Sequence, residues 1–297
     1  MFNPDSDPAE DAAQDTQRSL LARHFRAKRW PIAATYAALA LDNCLELLYP
    51  LLIGIAINGV LAGELWSLAP LAAVWLVQII ISGLRQLFDT RLFSQIFANV
   101  ATELAEQDGA DDESLSKVNA HVDMAQEVVE FFEWDVPAIA TAVISLFGAM
   151  ALMFLYDTIA GLMVVALLVP ALAIYTWLAR RSVRLNQVLN SHHERQIDTV
   201  ATGISARIRQ HFARVRRMRI ALSNAEAAAW SGLEIVTLGV TLAVIVQLAR
   251  VDGASAGTIF AGIAYMLRII EELDRVPELI QRVALLVDIR RRLGGQG

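Results

Sequence analysis

Six stretches of this chain are apolar enough, and long enough at about 20 residues each, to cross a bilayer. They are residues 31–57, 65–84, 136–156, 158–179, 228–249 and 254–270. Spans of that length are helices, so the expected fold class is an all-α membrane protein with six transmembrane helices. Composition agrees: 56% of the 297 residues are hydrophobic and the mean hydropathy is +0.45. A soluble chain of this length rarely averages so apolar.

The net charge of −6 hides a segregation of charge along the chain. Residues 1–17, "MFNPDSDPAEDAAQDTQ", hold five acids and no Lys or Arg. They read as a disordered acidic tail and not as a signal peptide, which needs a basic start and an apolar centre. Basic residues crowd alternate connections instead. Arg23, Arg26, Lys28 and Arg29 precede the first span. Arg180, Arg181, Arg184, Arg195, Arg207, Arg209, Arg214, Arg216, Arg217 and Arg219 separate the fourth from the fifth. Arg275, Arg282 and Arg290 to Arg292 follow the sixth. The other connections, "NGVLAGEL", "DT" and "RVDGAS", hold only Arg250. The positive-inside rule then places both termini in the cytoplasm. Orientation accounts for the arginine run, which lacks interleaved aromatics, so no nucleic-acid partner is expected.

The two cytoplasmic connections match in size. Leu65 to Tyr156 and Thr158 to Ala249 each make a hairpin of 92 residues, centred near Gly109 and Gly203. Beyond the membrane each arm keeps roughly 25 residues, or about 35–40 Å of helix. "RLFSQIFANVATELAEQ" sets Leu92, Ile96, Val100 and Leu104 four apart, an apolar stripe on a polar helix. Glycines at the two centres admit the backbone reversal.

Charged residues inside spans are costly, at about 2.5–3.5 kcal/mol each on insertion scales. "LDNCLELLYP" keeps Asp42 and Glu46 on one helical face, one turn before Pro50. Pro50 frees the Glu46 carbonyl and should kink the helix. Glu234 and Arg268 are the other charges within spans, and Gln78 is a weaker polar candidate. Asp42, Glu46, Gln78, Glu234 and Arg268 are therefore the candidates to line a cavity or translocation path. Two roles are open for the acids: pairing of Glu46 or Glu234 with Arg268 to fix helix packing, or direct contact with a solute. A net acidic cavity favours cationic or amphipathic solutes. Cys44, the only cysteine, excludes an intrachain disulfide and a cysteine-based metal cluster. His192 and His193 are adjacent in "SHHER" and point about 100° apart on a helix, a solvated face and no metal site. Trp30, Trp66 and Trp134 fall near span ends, where interfacial anchoring is the rule.

Several of these features belong together. A basic amphipathic lead-in, "LLARHFRAKRWPI", precedes a first span carrying Glu46, Pro50 and "LLIGIAI"; two deep helical hairpins follow; "GTIFAGIAYMLRIIEELDRVPELIQRVALLVDIRRRL" leads out of the sixth span. Over residues 18–293 the chain resembles the six-helix transmembrane domain of exporter-type ABC transporters. "SLSKVNAHVDMAQEVVEFF" is similar to the family segment climbing from the first cytoplasmic tip to the third span. The resemblance implies pairing of two such domains, as a homodimer or with a related subunit, each sending its second hairpin across to the other. It implies short helices at the hairpin tips that dock on ATP-binding domains. Asp108, Gly109, Asp111 and Asp112 at the first tip, and Thr202, Gly203 and Ser205 at the second, are the candidates for that coupling.

Three departures stand out. A phosphate-binding loop needs G-x-x-x-x-G-K-[ST], and neither lysine, Lys28 nor Lys117, follows a glycine. The chain is expected to be no enzyme, to bind no cofactor, and to meet ATP only through a separate ABC ATPase. The closing "LGGQG" resembles the ATPase signature but lacks its serine; residues 294–297 read as a flexible end. Both hairpins are shorter than is usual, and acidic "DGADDE" stands where the first tip often carries an aromatic pair. Pro277 should kink or end the helix after the sixth span. The expected protein is thus the transmembrane subunit of an ABC-type transporter in a bacterial cytoplasmic membrane, in contact with lipid. The alternative is an ATPase-independent scaffold or assembly protein with the same fold. An ion-coupled carrier using Asp42 and Glu46 would be expected to show inverted repeats, and the sequence shows none.

Overall fold

The structure, a computed structural model, describes residues 19–107, 112–194 and 204–280. The acidic tail expected over 1–17 and the end at 294–297 lie outside them. Among the described residues there is no strand. The elements are α1 (19–27), α2 (Arg29–Leu47), α3 (Tyr49–Leu61), a 3-10 turn (Leu65–Leu68), α4 (Ala69–Gln107), α5 (Asp112–Glu130), a π turn (Phe131–Asp135), α6 (Val136–Tyr156), α7 (Thr158–Glu194), α8 (Ser205–Arg250), α9 (Ala256–Asp274) and α10 (276–280).

Five helical stretches among the described residues are long and apolar enough to cross a membrane: Arg29–Leu61, Leu65–Glu106, His121–Tyr156, Thr158–Leu189 and Ser205–Arg250. The sixth expected span, 254–270, falls on α9, which is 19 residues long. Arg268, Glu271 and Glu272 crowd its C-terminal half and hold its hydropathy below that of the other five. The first span is not one rod. It breaks at Leu48, whose N–H reaches back to the Leu45 carbonyl at 3.1 Å, and α3 restarts with Pro50 in its first turn. This is the kink expected at Pro50, since a proline leaves the carbonyl four residues back without a donor. Pro277 acts likewise: α9 stops at Asp274, a turn at Arg275 follows, and helix resumes at residue 276 with Pro277 in its first turn.

The chain divides into two compact units, residues 1–149 with 271–297, and residues 150–270. In the first, the stripe expected on the first cytoplasmic arm is the core. Leu92, Ile96, Val100 and Leu104 of α4 are buried, joined by Phe93, and face Ala125, Val128, Val129 and Phe131. Leu20 and Leu21 of α1 close the cluster, with Phe25 packed beside them. Each such side chain removed from water contributes about 1.5–3 kcal/mol, which holds a polar hairpin together outside the membrane. Polar clasps fix α1 in place: Arg23 pairs with Glu103, and Lys28 Nζ donates to Gln95 Oε1 at 3.1 Å. Within the membrane span, Asn43 of α2 is buried and donates from Nδ2 to Thr141 Oγ1 of α6 at 3.1 Å. Tyr49 and Trp75 rings lie 5.4 Å apart and tie α3 to α4.

In the second unit, α7 and α8 pack as the two arms of a hairpin, 37 and 46 residues long. The packed face of α8 runs through Ala225, Ala229, Leu233 and Thr237, four apart, then Val244 and Leu248. Small side chains at that spacing let helix backbones approach closely in a membrane. Asp157 breaks the chain between α6 and α7, and its Oδ1 accepts from the Ala160 N–H at 2.8 Å and from Gln247 Nε2 at 3.2 Å. The short connection to α9 turns at Gly253, where φ is +81°. Both hairpins therefore have the long helical arms expected of them; their centres at Gly109 and Gly203 lie outside the described residues.

Candidate functional site

The most polar face of the first unit begins on α4. Gln78, Ser82, Arg85 and Asp89 stand at intervals of four, three and four residues and share one face of the helix. Opposite them on α2 is Asp42. Ser82 Oγ donates to Asp42 Oδ1 at 2.7 Å. The Arg85 guanidinium lies 3.6 Å from Asp42 Oδ2 and donates to Asp89 Oδ2 at 3.2 Å. One arginine thus holds two carboxylates from different helices. The Asp42 and Arg85 side chains are only 14% and 21% exposed, so this pair feels much less solvent screening than a surface one.

Beside the network lies a cleft of about 470 Å³, lined by Ser82, Arg85, Gln86, Asp89 and Thr90 of α4, Glu133 and Trp134 of the π turn, Thr141 of α6, and Arg275 and Glu278 at the end of the unit. That volume suits a small organic ligand. Among the lining residues, Arg85 Nε and Asp89 Oδ1 are buried and without a hydrogen-bond partner. Arg275 is held by Glu271 Oε1 at 2.6 Å and lies 3.6 Å from Glu272 Oε1. The wall carries three carboxylates, Asp89, Glu133 and Glu278, against two guanidinium groups, with the Trp134 indole alongside.

The π turn places Glu133 and Trp134. A π turn shifts the helical ladder by one residue and loosens its pairing. Here the Tyr36 hydroxyl donates to the Phe132 carbonyl at 2.8 Å. Phe132 also packs on Phe25 with ring centroids 4.8 Å apart, and Phe131 is buried in the core below.

The residues singled out from sequence divide. Asp42 joins the network that backs the cleft, through Ser82 and Arg85, which sequence reasoning passed over. Glu46 is half buried one turn further along α2, away from the lining. Gln78 is half buried on the polar face of α4, with Oε1 buried and lacking a partner. Glu234 and Arg268 belong to the second unit, on α8 and α9, both half buried. Glu234 makes no ion pair among the described residues, so its proposed pairing with Arg268 is not formed. Of the tip residues, Asp108, Gly109, Asp111, Thr202 and Gly203 lie outside the described residues; Asp112 opens α5, and Ser205 opens α8 and is exposed. Among the described residues no group of three His, Cys, Asp or Glu could hold a metal ion.

Residues 21–258 match the ABC transporter transmembrane region family. The chain belongs to that family. It is an integral membrane component of an ABC transporter, with several membrane-spanning helices. The match covers both hairpins and the whole Asp42–Ser82–Arg85–Asp89 network, and it stops inside α9. No curated protein matches the chain.

Proposed function

We propose that this chain forms half of the translocation pathway of an ABC transporter, paired with a second copy or a related subunit, and that the cleft of the first unit takes a cationic, amphipathic solute. In this reading α9 is the sixth crossing, with its charged end at the cytoplasmic face. ATP is bound and split by nucleotide-binding domains outside these residues, docked at the two hairpin tips around Asp112 and Ser205. The observation that supports the reading best is a cleft of ligand size whose carboxylates, Asp89, Glu133 and Glu278, outnumber its cations and stand beside the Trp134 indole. A cation over the Trp134 face would add about 0.5–2 kcal/mol.

The test is flux in proteoliposomes holding the chain together with the ABC ATPase that co-purifies with it. ATP-dependent movement of a fluorescent organic cation, but not of an anion of similar size, is expected. Asp89→Asn should slow that movement at least tenfold while ATPase docking persists. A complex that hydrolyses ATP and moves anions instead would overturn the solute class. Failure of any ATPase to bind would favour a scaffold.

A further inference from the structure

α1 joins the first unit by one face and leaves the other bare. Leu20 and Leu21 are buried in the core of that unit, and Phe25 packs beside them. Arg23, Arg26 and Arg29 follow at intervals of three away from that face, and all three are exposed, as is Trp30. With Ala22 and Ala27 they line an open groove of about 670 Å³. Its lining holds three guanidinium groups and no carboxylate. The sequence around it is equally one-sided: between Asp15 and Asp42 the chain carries five cations and no acid. Arg23 is taken by Glu103. Arg26 and Arg29 make no ion pair and no side-chain hydrogen bond among the described residues. The Arg29 guanidinium carbon lies 5.6 Å from the centre of the Trp30 ring.

The groove sits where the chain enters the membrane. α1 and α2 are separated by Lys28, whose φ of −101° and ψ of 17° depart from helix. Arg29 and Trp30 adjoin the apolar run that starts at Pro31, and Arg26 stands five residues before it, a distance of at most about 8 Å. The headgroup layer flanking the hydrocarbon is about 5–8 Å deep. Beyond Trp30, Ala33, Ala37 and Leu41 continue an exposed face of α2 at intervals of three, four and four residues. This is an apolar track with little side-chain bulk in its first two turns. A cationic groove opening onto an apolar track matches both ends of a phospholipid, whereas a soluble phosphate needs only the first.

We infer that this groove binds the phosphate of an anionic glycerophospholipid. Arg26 and Arg29 donate to the phosphate oxygens, Trp30 lies beside the glycerol backbone, and an acyl chain follows Ala33 and Ala37. Guanidinium forks suit phosphate oxygens in pairs, and indoles settle at headgroup level. A zwitterionic lipid carries its own cation next to the phosphate and competes less well for the arginines. The bound lipid anchors α1, and through the Arg23–Glu103 and Lys28–Gln95 contacts it braces the first cytoplasmic arm at the bilayer surface. The site depends neither on pairing of subunits nor on transport.

The experiment titrates the full-length chain in detergent with phosphatidylglycerol or phosphatidylcholine of equal chain length, and reads bound lipid by native mass spectrometry. Phosphatidylglycerol should bind the more tightly. Arg26→Gln with Arg29→Gln should weaken it by about tenfold or more, the weight of two such charges near an anionic surface. Arg180→Gln with Arg184→Gln removes a second exposed basic pair, on α7, and should leave that affinity within about twofold. Both variants are first checked for an unchanged melting profile. Equal loss from the α7 pair would reduce the effect to general positive charge and overturn the inference, as would equal binding of the two lipids. Displacement of the lipid by millimolar inorganic phosphate would assign the groove to a free anion instead. A measurement on the unmodified chain guards against misfolded variants: phosphatidylglycerol carrying a photoactivatable group beside its headgroup should mark peptides within residues 19–41. Marks confined to other peptides would overturn the site.

Discussion

Tyr36 donates its hydroxyl to the main-chain carbonyl of Phe132, 96 residues away, at 2.8 Å. This bond joins the first span to the π turn that aims Glu133 and Trp134 at the cleft. Tyr36→Phe removes the donor and leaves the carbonyl short of a partner, at a cost of about 1–3 kcal/mol. Thermal unfolding in detergent should show the loss. A π turn supported by Tyr36 should also show weaker protection of the Phe131–Asp135 amides in hydrogen exchange, and unchanged protection there would mean that packing alone holds it.

Arg85 and Asp42 should be strongly coupled. Breaking a fully buried pair costs about 3–5 kcal/mol; each of these keeps some exposure, so about 2–3 kcal/mol is expected for Asp42→Asn or Arg85→Gln. Asp89 still pairs with Arg85, so the Asp42 change should be the milder of the two. In a double-mutant cycle read by thermal stability, the doubly changed chain should recover at least 1 kcal/mol relative to additivity. Additive losses would show that the charges act separately.

The connection between the first two spans depends on Gly59. A Cβ there would come within 2.2 Å of both Ser67 Cβ and Ser67 Oγ, and 3.3 Å of the Glu64 carbonyl oxygen. Ser67 Cβ is fixed to the backbone and cannot swing aside. Gly59→Ala should therefore destabilise by about 1–3 kcal/mol, the usual cost of overpacking. Adding Ser67→Gly should return part of the loss, and failure to do so would place the strain elsewhere.

Orientation is open to a chemical test. Ala62 and Ser205 are both exposed, near the connection after α3 and at the start of α8. Cysteines placed there singly, in a Cys44→Ala background, should react with a membrane-impermeant maleimide from opposite sides of sealed vesicles. Reaction of both from the same side would overturn the arrangement set by the arginines.

The 297-residue chain on its own should neither bind nor hydrolyse ATP, because no glycine precedes either lysine. Equilibrium dialysis with labelled ATP checks this, and saturable binding would contradict it.

Five of the six expected spans, the hairpin arms and the stripe from Leu92 to Leu104 were legible because each rests on a local repeat of one property, apolarity, at helical spacing. Pro50 and Pro277 were legible because the loss of an N–H is a covalent fact. Arg85 was not, because the second span read by hydropathy ends at Leu84, one residue short. The signal was present: Gln78, Ser82, Arg85 and Asp89 repeat on one face as regularly as the apolar stripe that follows. The π turn left no comparable mark. Its register is tied to Tyr36 and to the packing of Phe131 and Phe132, which are relations across the chain. Glu46, read as the equal of Asp42, lies away from the cleft because one helical turn carries it past Arg85.

The polar face of α4 also bears on how the protein enters its membrane. A helix showing Arg85 and Asp89 to lipid would insert poorly by itself, and so would α2 with Asp42, at about 2.5–3.5 kcal/mol for each charge on insertion scales. Joined through Ser82 and Arg85, each hides the other's charge from the acyl chains. The two helices are separated by α3 and a short turn, so they leave the ribosome close together. The pair therefore partitions into the bilayer at a lower cost in exposed charge than the two helices would separately.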